Sequence, residues 1–263
     1  MITILGAQGF IGSHLVRRLR HIGAEHQAPA RDEDLSGRPL GQIIYCIGLT
    51  ADFRDRPRDA VDAHICRLLD LIRGCDFESL LYLSSARVYL RTSGPAGEST
   101  PLSFEPLDPD DLYGLTKAAG EALTLSLGAK GRVARPSNVY GPGQSDSFLA
   151  MLIDEAKRDG AIHLRTAPGS AKDYVSVADV ADLLVRIAQG GRERIYNISS
   201  GVAVSHAQIT DAIARQTGCS VHVEPGAPLV RFPPIENGRV RTEFGFQPAS
   251  IVDDLPALIA GSA

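Results

Sequence analysis

Met1-Ile2-Thr3-Ile4-Leu5-Gly6-Ala7-Gln8-Gly9-Phe10-Ile11-Gly12 is the stretch that decides the fold. An apolar pentad runs into three evenly spaced glycines, then into Ile11, Leu15, Leu19 and Ile22 at helical spacing, closed by Gly23. The pattern predicts a strand, a tight turn and a helix N-terminus. Such a turn cradles a dinucleotide pyrophosphate: Gly6 lets the chain turn, Gly9 lets the backbone approach the phosphates, and Gly12 lets helix and strand pack closely. The amides of Phe10 and Ile11 then face the anion, with the helix dipole behind them. Taken alone, these glycines also fit an ordinary strand-to-helix turn.

The chain downstream alternates. A short strand is expected from Glu25 to Arg31, and Gln42 to Ile47 is a continuous apolar run suited to a parallel strand covered on both faces. Asp59 to Arg73 carries Val61, Ile65, Leu68, Leu69 and Ile72 on one side of a helix, and Ser79 to Leu83 is again a strand. Right-handed βαβ crossovers follow, and with them an α/β fold: a Rossmann-type doubly wound parallel sheet with a smaller C-terminal α/β substrate-binding portion. Residues 1–145 are assigned mainly to the dinucleotide-binding domain and 146–263 mainly to the substrate-binding portion, with segments near 174–198 returning to the first. Arg91 to Asp111, rich in Pro, Gly, Ser and Asp, reads as a long loop over the carboxyl edge of the sheet. Asp110 or Asp111 is expected to cap a helix from Leu112 to Leu127, and Ser205 and Ser250 to cap two later ones.

Composition narrows the function classes. With 263 residues, 44% hydrophobic and 22% charged, the chain resembles a soluble globular protein. No apolar run reaches the roughly 20 residues of a membrane helix, and no basic leader precedes the first strand. A net charge of −4 without a basic run offers nothing to a nucleic acid. Cys46, Cys66, Cys75 and Cys219 lack metal-type spacing, and the seven histidines form no HxH or HExxH set. The reading is a cytoplasmic protein with reduced thiols, no metal and a small-molecule partner.

Tyr113-Gly114-Leu115-Thr116-Lys117 sets a phenol and an ammonium one helical turn apart on one face. A phenol titrating near 10 becomes a useful acid/base at neutral pH only where a cation stabilises its phenolate. Ser84-Ser85-Ala86-Arg87-Val88-Tyr89 follows a predicted parallel strand, so Ser85 points its hydroxyl into the region where such sheets bind ligands. The bland alternatives are a surface pair and a strand-ending serine. Their chain order on one α/β scaffold favours chemistry.

With these motifs the chain resembles an extended short-chain dehydrogenase/reductase of the nucleotide-sugar epimerase, dehydratase and reductase branch. The resemblance runs on through Arg135-Pro136-Ser137-Asn138-Val139-Tyr140-Gly141-Pro142-Gly143, Lys172-Asp173-Tyr174-Val175-Ser176-Val177-Ala178-Asp179, Tyr196 to Gly201 and Glu243 to Pro248. It implies a catalytic triad of Ser85, Tyr113 and Lys117 and an NAD or NADP cofactor. Cofactor contacts are implied at Gly6, Gly9, Phe10, Ile11, Gly12, Cys46, Gly48, Tyr113, Lys117 and Pro136, and substrate contacts at Ser85, Arg87, Asn138, Lys172 and Arg239. Ala30 stands where NAD-preferring relatives carry Asp, with Arg31 beside it, so Arg31 leans the choice towards NADP, while Asp32 next in line is within reach of the ribose diol of NAD. Ala86-Arg87 replaces the Asp-Glu pair of dehydratases, Ala63-His64-Ile65 stands where the helix often carries an Asn, and Leu90 replaces a Gly. The implied activity is a 4-epimerase or 4-ketoreductase of a nucleotide-diphosphate sugar, working as a homodimer through Leu115, Ala119, Ala122, Leu123 and Leu127. The alternatives are a reductase of a small non-nucleotide ketone and a non-catalytic NAD(P)-sensing regulator.

Overall fold

A computed structural model describes residues 1–49 and 52–261. Its centre is a six-stranded parallel sheet in the order β2-β1-β3-β4-β5-β9. β1 is Ile2–Leu5, β2 His26–Gln27, β3 Gln42–Tyr45, β4 Ser79–Leu83, β5 Gly131–Pro136 and β9 Ile195–Ile198. β1, β3 and β4 are apolar on both faces because helices cover both. α1 (Phe10–His21) and α6 (Val177–Gly190) pack on one side, around Leu15, Leu19, Leu183 and Ile187. The other side carries a helical run over 57–74 and α4 (Asp111–Leu125), around Tyr45, Leu68, Leu71 and Tyr82. β2 and β3 flank β1 on opposite sides, which makes the carboxyl end of β1 the topological switch point, where such sheets open a crevice.

The remaining chain builds a second lobe. β6 (Asn138–Tyr140), β8 (Ala171–Ser176) and β10 (Ala203–Ser205) form one small sheet, and β7 (Ala161–Leu164) pairs with β11 (Ser220–Val223). α5 (Phe148–Asp159), α7 (His206–Thr217) and α9 (Ile251–Gly261) close a separate apolar core around Leu152, Ile162, Ile209 and Leu255. The short α8 (Gly238–Phe244) lies by β9. Ser205 caps α7 in a reciprocal capping box with Gln208.

Three local expectations need correction. The strand over 25–31 shrinks to His26–Gln27, an edge position next to Pro29. The helix over 59–73 is split into α2 (Pro57–Val61) and α3 (Arg67–Gly74) by a π-turn at Asp62–Cys66. One extra residue in the turn leaves the apolar periodicity on either side intact, so the sequence does not betray it. Neither aspartate caps α4 with its side chain. Asp111 is buried instead, accepting from the Glu105 amide at 2.6 Å and pairing with Arg91, which ties the 91–110 strap to the helix. Of the apolar residues expected on this helix, Leu123 of α4 and Leu127 just beyond it pack into the protein's own core, whereas Leu115 and Ala122 are exposed.

Candidate active site

Gly6 has φ +87°, a left-handed conformation that side chains resist, and a Cβ there would sit 2.8 Å from the Cys46 carbonyl carbon. A Cβ on Gly12 would come within 2.2 Å of the Gly6 carbonyl oxygen. The sequence therefore folds the chain into a turn that only glycine permits, tight against the end of β3. Gly9 precedes α1 in extended conformation, with no side-chain cap and no acid in the first helical turn, so the leading amides stay open to an anion. Gly9, Phe10, Ile11 and Gly12 line a cleft of about 710 Å³ with Cys46, Gly48 and Pro136. The donors and the bare backbone fit the pyrophosphate of a nicotinamide dinucleotide.

Ser85, Tyr113 and Lys117 meet in the same cleft. β4 ends at Leu83, whose carbonyl accepts a 2.9 Å hydrogen bond from Lys117 Nζ, so the ammonium is pinned at the carboxyl edge of the sheet. It lies 5.9 Å from the centroid of the Tyr113 ring. Ser85 Oγ accepts from the Arg87 amide at 3.2 Å, which uses one of its lone pairs and leaves the hydroxyl proton free to face the cleft. Burial pushes the Tyr113 phenol up to about 12, against Ser85 and the Arg87 guanidinium, which favour the phenolate. Burial brings the Lys117 ammonium down to about 8, opposed by Cys46 and Glu121.

His64, inside the π-turn, is fully buried behind these groups. Its ring meets Tyr113 edge-on at 5.3 Å, its Nε2 accepts from the Leu49 amide at 3.2 Å, and its Nδ1 lies 2.9 Å from Thr116 Oγ1. An acceptor at Nε2 places the proton of the neutral ring on Nδ1, donating to Thr116, which in turn donates to the Tyr113 carbonyl at 3.1 Å. Burial, and then Lys117, hold His64 down to about 2, so the ring stays neutral. A second buried network secures the same helix. Glu121, one turn beyond Lys117, pairs with Arg135 at 2.5 Å and accepts from Ser84, and Arg135 continues to Tyr89 and Asn197.

The far wall belongs to the second lobe. Lys172 stands between the rings of Phe148 (4.8 Å) and Phe232 (5.4 Å), and no carboxylate pairs with it among the described residues. Burial lowers its pKa, and the Arg87 charge adds to that. Asn138, at the start of β6, donates to the Asp173 carbonyl at 2.8 Å, and the buried Tyr174 hydroxyl has no partner among the described residues; all three residues line the cleft. Asp173 itself is consumed structurally by Ser137, Ser200 and Gly201.

Three of the expected site residues do not line the cleft: Gly6, which shapes the turn behind it, Arg31 and Arg239. Arg31 is exposed beyond the short β2. Arg239 spends its guanidinium on Glu98, Glu193 and the Ile195 carbonyl, beside a different depression. Conversely, sequence reasoning passed over Phe53, Phe148 and Phe232, which carry no motif, and gave Tyr174 no role although it lies in the 172–179 segment. Glu121 offered one signal, its helical phase with Lys117.

Residues 41–199 match the NAD dependent epimerase/dehydratase family. The chain belongs to that family. A UDP-glucose 4-epimerase of Mycolicibacterium smegmatis is 28% identical, covering 93% of this chain and 92% of the relative. A GDP-6-deoxy-D-mannose reductase of Pseudomonas aeruginosa is 29% identical, covering 76% and 74%. Among solved structures, MoeE5 in complex with UDP-glucose and NAD has a TM-score of 0.82 at 24% identity, covering 99% of this chain and 98% of that one. The fold is therefore shared with structures that hold a nicotinamide dinucleotide, and the family is one of NAD-dependent enzymes.

Proposed function

We propose that this family member is a 4-epimerase or 4-ketoreductase of a nucleotide-diphosphate sugar, with Tyr113 as the acid/base. The observation that carries the reading is the layout of one cleft. Ser85, Tyr113 and Lys117 gather at the end next to the glycine turn, and Lys172, Asn138 and Tyr174 at the other. The first end suits a carbinol, the second a diphosphate. The epimerase and reductase relatives support the substrate class.

A bound nicotinamide dinucleotide supplies the hydride chemistry. Ser85 holds the sugar hydroxyl by hydrogen bond and sets it against Tyr113, whose phenolic oxygen takes or returns the hydroxyl proton. Lys117 favours the phenolate form and has donors left over beyond Leu83 for the cofactor's ribose. Phe53, buried against the Tyr113 ring at 5.4 Å, keeps water off the phenol. Dehydration is not proposed, because Ala86 and Arg87 provide no acid after Ser85.

The absence of an acid at the end of β2 supports NADP over NAD: Ala30 leads into the cationic Arg31, and Asp32 faces Arg67 at 3.7 Å. A cytoplasmic homodimer joined through Leu115, Ala119 and Ala122 of α4 completes the proposal; light scattering returning 28 kDa would remove the dimer. The test of function is absorbance at 340 nm with UDP-, GDP- and dTDP-sugars. A ketoreductase consumes NAD(P)H stoichiometrically. An epimerase interconverts sugars with no net change, and conversion of none of them would reject the proposal.

A further inference from the structure

Arg87 and Lys172 are like charges lining one cleft: burial lowers both pKa values, and the Arg87 charge lowers that of Lys172 further. An arrangement of this kind is unfavourable without ligand and is relieved by a ligand carrying two separate anionic groups. A diphosphate facing Lys172, Asn138 and Tyr174 is one. Arg87 lies at the reacting end. Its amide holds Ser85 Oγ, its guanidinium acts on the Tyr113 phenol, and it stacks over the Phe53 ring at 5.5 Å while Tyr113 packs on that ring at 5.4 Å. The Nε of Arg87 is buried without a partner among the described residues. The nearest acid, Asp110, is 3.9 Å away and is held more closely by Arg54.

We propose that the sugar handled at this site carries a carboxylate, and that Arg87 is the residue that reads it. A sugar hydroxyl would satisfy one donor. With the diphosphate assigned to the Lys172 end, a carboxylate on the sugar matches both the charge and the forked donor geometry of a guanidinium. The second anion thus sits on the sugar and the first on the nucleotide, and the cleft selects uronic-acid nucleotides over their neutral counterparts. This inference rests on the nucleotide-sugar reading above.

The experiment is calorimetric titration of the cofactor-loaded protein with UDP, UDP-glucose and UDP-glucuronic acid, and with the matching GDP and dTDP sets. For the nucleoside diphosphate that binds, the uronate should bind about tenfold tighter than the neutral sugar, the scale of a hydrogen bond to a charged group. Arg87→Gln should erase that preference while keeping the affinity for the bare nucleoside diphosphate within about twofold, which also shows the variant is folded. Should Arg87→Gln not fold, Arg87→Lys carries the test, with part of the preference lost and nucleotide binding intact. Equal affinity of the wild type for neutral and acidic sugars would overturn the proposal. So would an Arg87→Gln variant that loses the bare nucleoside diphosphate as strongly as the uronate, since Arg87 would then hold phosphate. If no nucleoside diphosphate binds the wild type, the nucleotide-sugar reading fails first and takes this inference with it.

Discussion

The two walls of the cleft are built on different principles. The wall facing the sheet fixes its groups through backbone that tolerates no alternative: a left-handed Gly6, a Lys117 tied to Leu83, and a helix bolted down by His64 and by the Glu121–Arg135 pair. The wall supplied by the second lobe presents Lys172 and Tyr174 with unused bonding capacity. Rigid chemistry on one side and unsatisfied recognition on the other is the division expected when a reaction is constant and its substrate varies. The lesson is that substitutions on the first wall should cost stability or rate, and substitutions on the second should cost affinity.

The largest effect is expected on the sheet side. Glu121→Gln leaves Arg135 buried, about 4% exposed, without its counter-charge, and removing one partner of such a pair costs about 3–5 kcal/mol. Urea denaturation should show that loss; a change under 1 kcal/mol would mean the pair is not what secures α4. On the lobe side, Lys172→Met removes a partly desolvated cation that has ring contacts but no carboxylate partner among the described residues. It should weaken nucleoside diphosphate binding by about tenfold or more and leave the melting temperature unchanged or higher. A drop in both would erase the contrast between the walls.

An intermediate effect concerns pH. His64 is held down to about 2 and His206 to about 4, both by burial first, and both titrate near 6.5 once unfolded. Below 6.5 the unfolded chain binds protons that the folded one refuses, so stability present above that pH is lost progressively towards the folded values. The melting temperature should fall between pH 7 and pH 5. His64→Gln should make that slope shallower; an unchanged slope would remove His64 from the account. The smallest effect is at Arg31, outside the cleft. Arg31→Ala should weaken NADPH binding by up to about fivefold and leave NADH alone, the scale of an exposed ion pair. Equal loss for both cofactors would undo the lean towards NADP.

How much of this was legible in the sequence follows the same division. Gly6, Gly9, Gly12 and the Tyr113–Lys117 spacing are readable because backbone geometry and helix period demand those residue types at those intervals. The apolar runs of β3 and β4 announce a sheet covered on both faces. Asp111 misled because a carboxylate before a helix reads as a cap, whereas its actual acceptor role towards Glu105 and Arg91 depends on where the strap folds. Arg239 carries a charge whose partners, Glu98 and Glu193, are distant in sequence. Phe148 and Phe232 sit in unpatterned segments and reach Lys172 only through the tertiary fold. His64 could be seen as a departure from relatives, but its place in a π-turn could not.

The most direct test is Tyr113→Phe assayed with the cofactor and whichever nucleotide sugar the wild type converts. Removing one phenolic oxygen should lower kcat by about 10²–10⁴-fold while the dissociation constants of cofactor and nucleotide sugar move less than about threefold. A Tyr113→Phe protein that turns over at the wild-type rate would contradict the account at its centre.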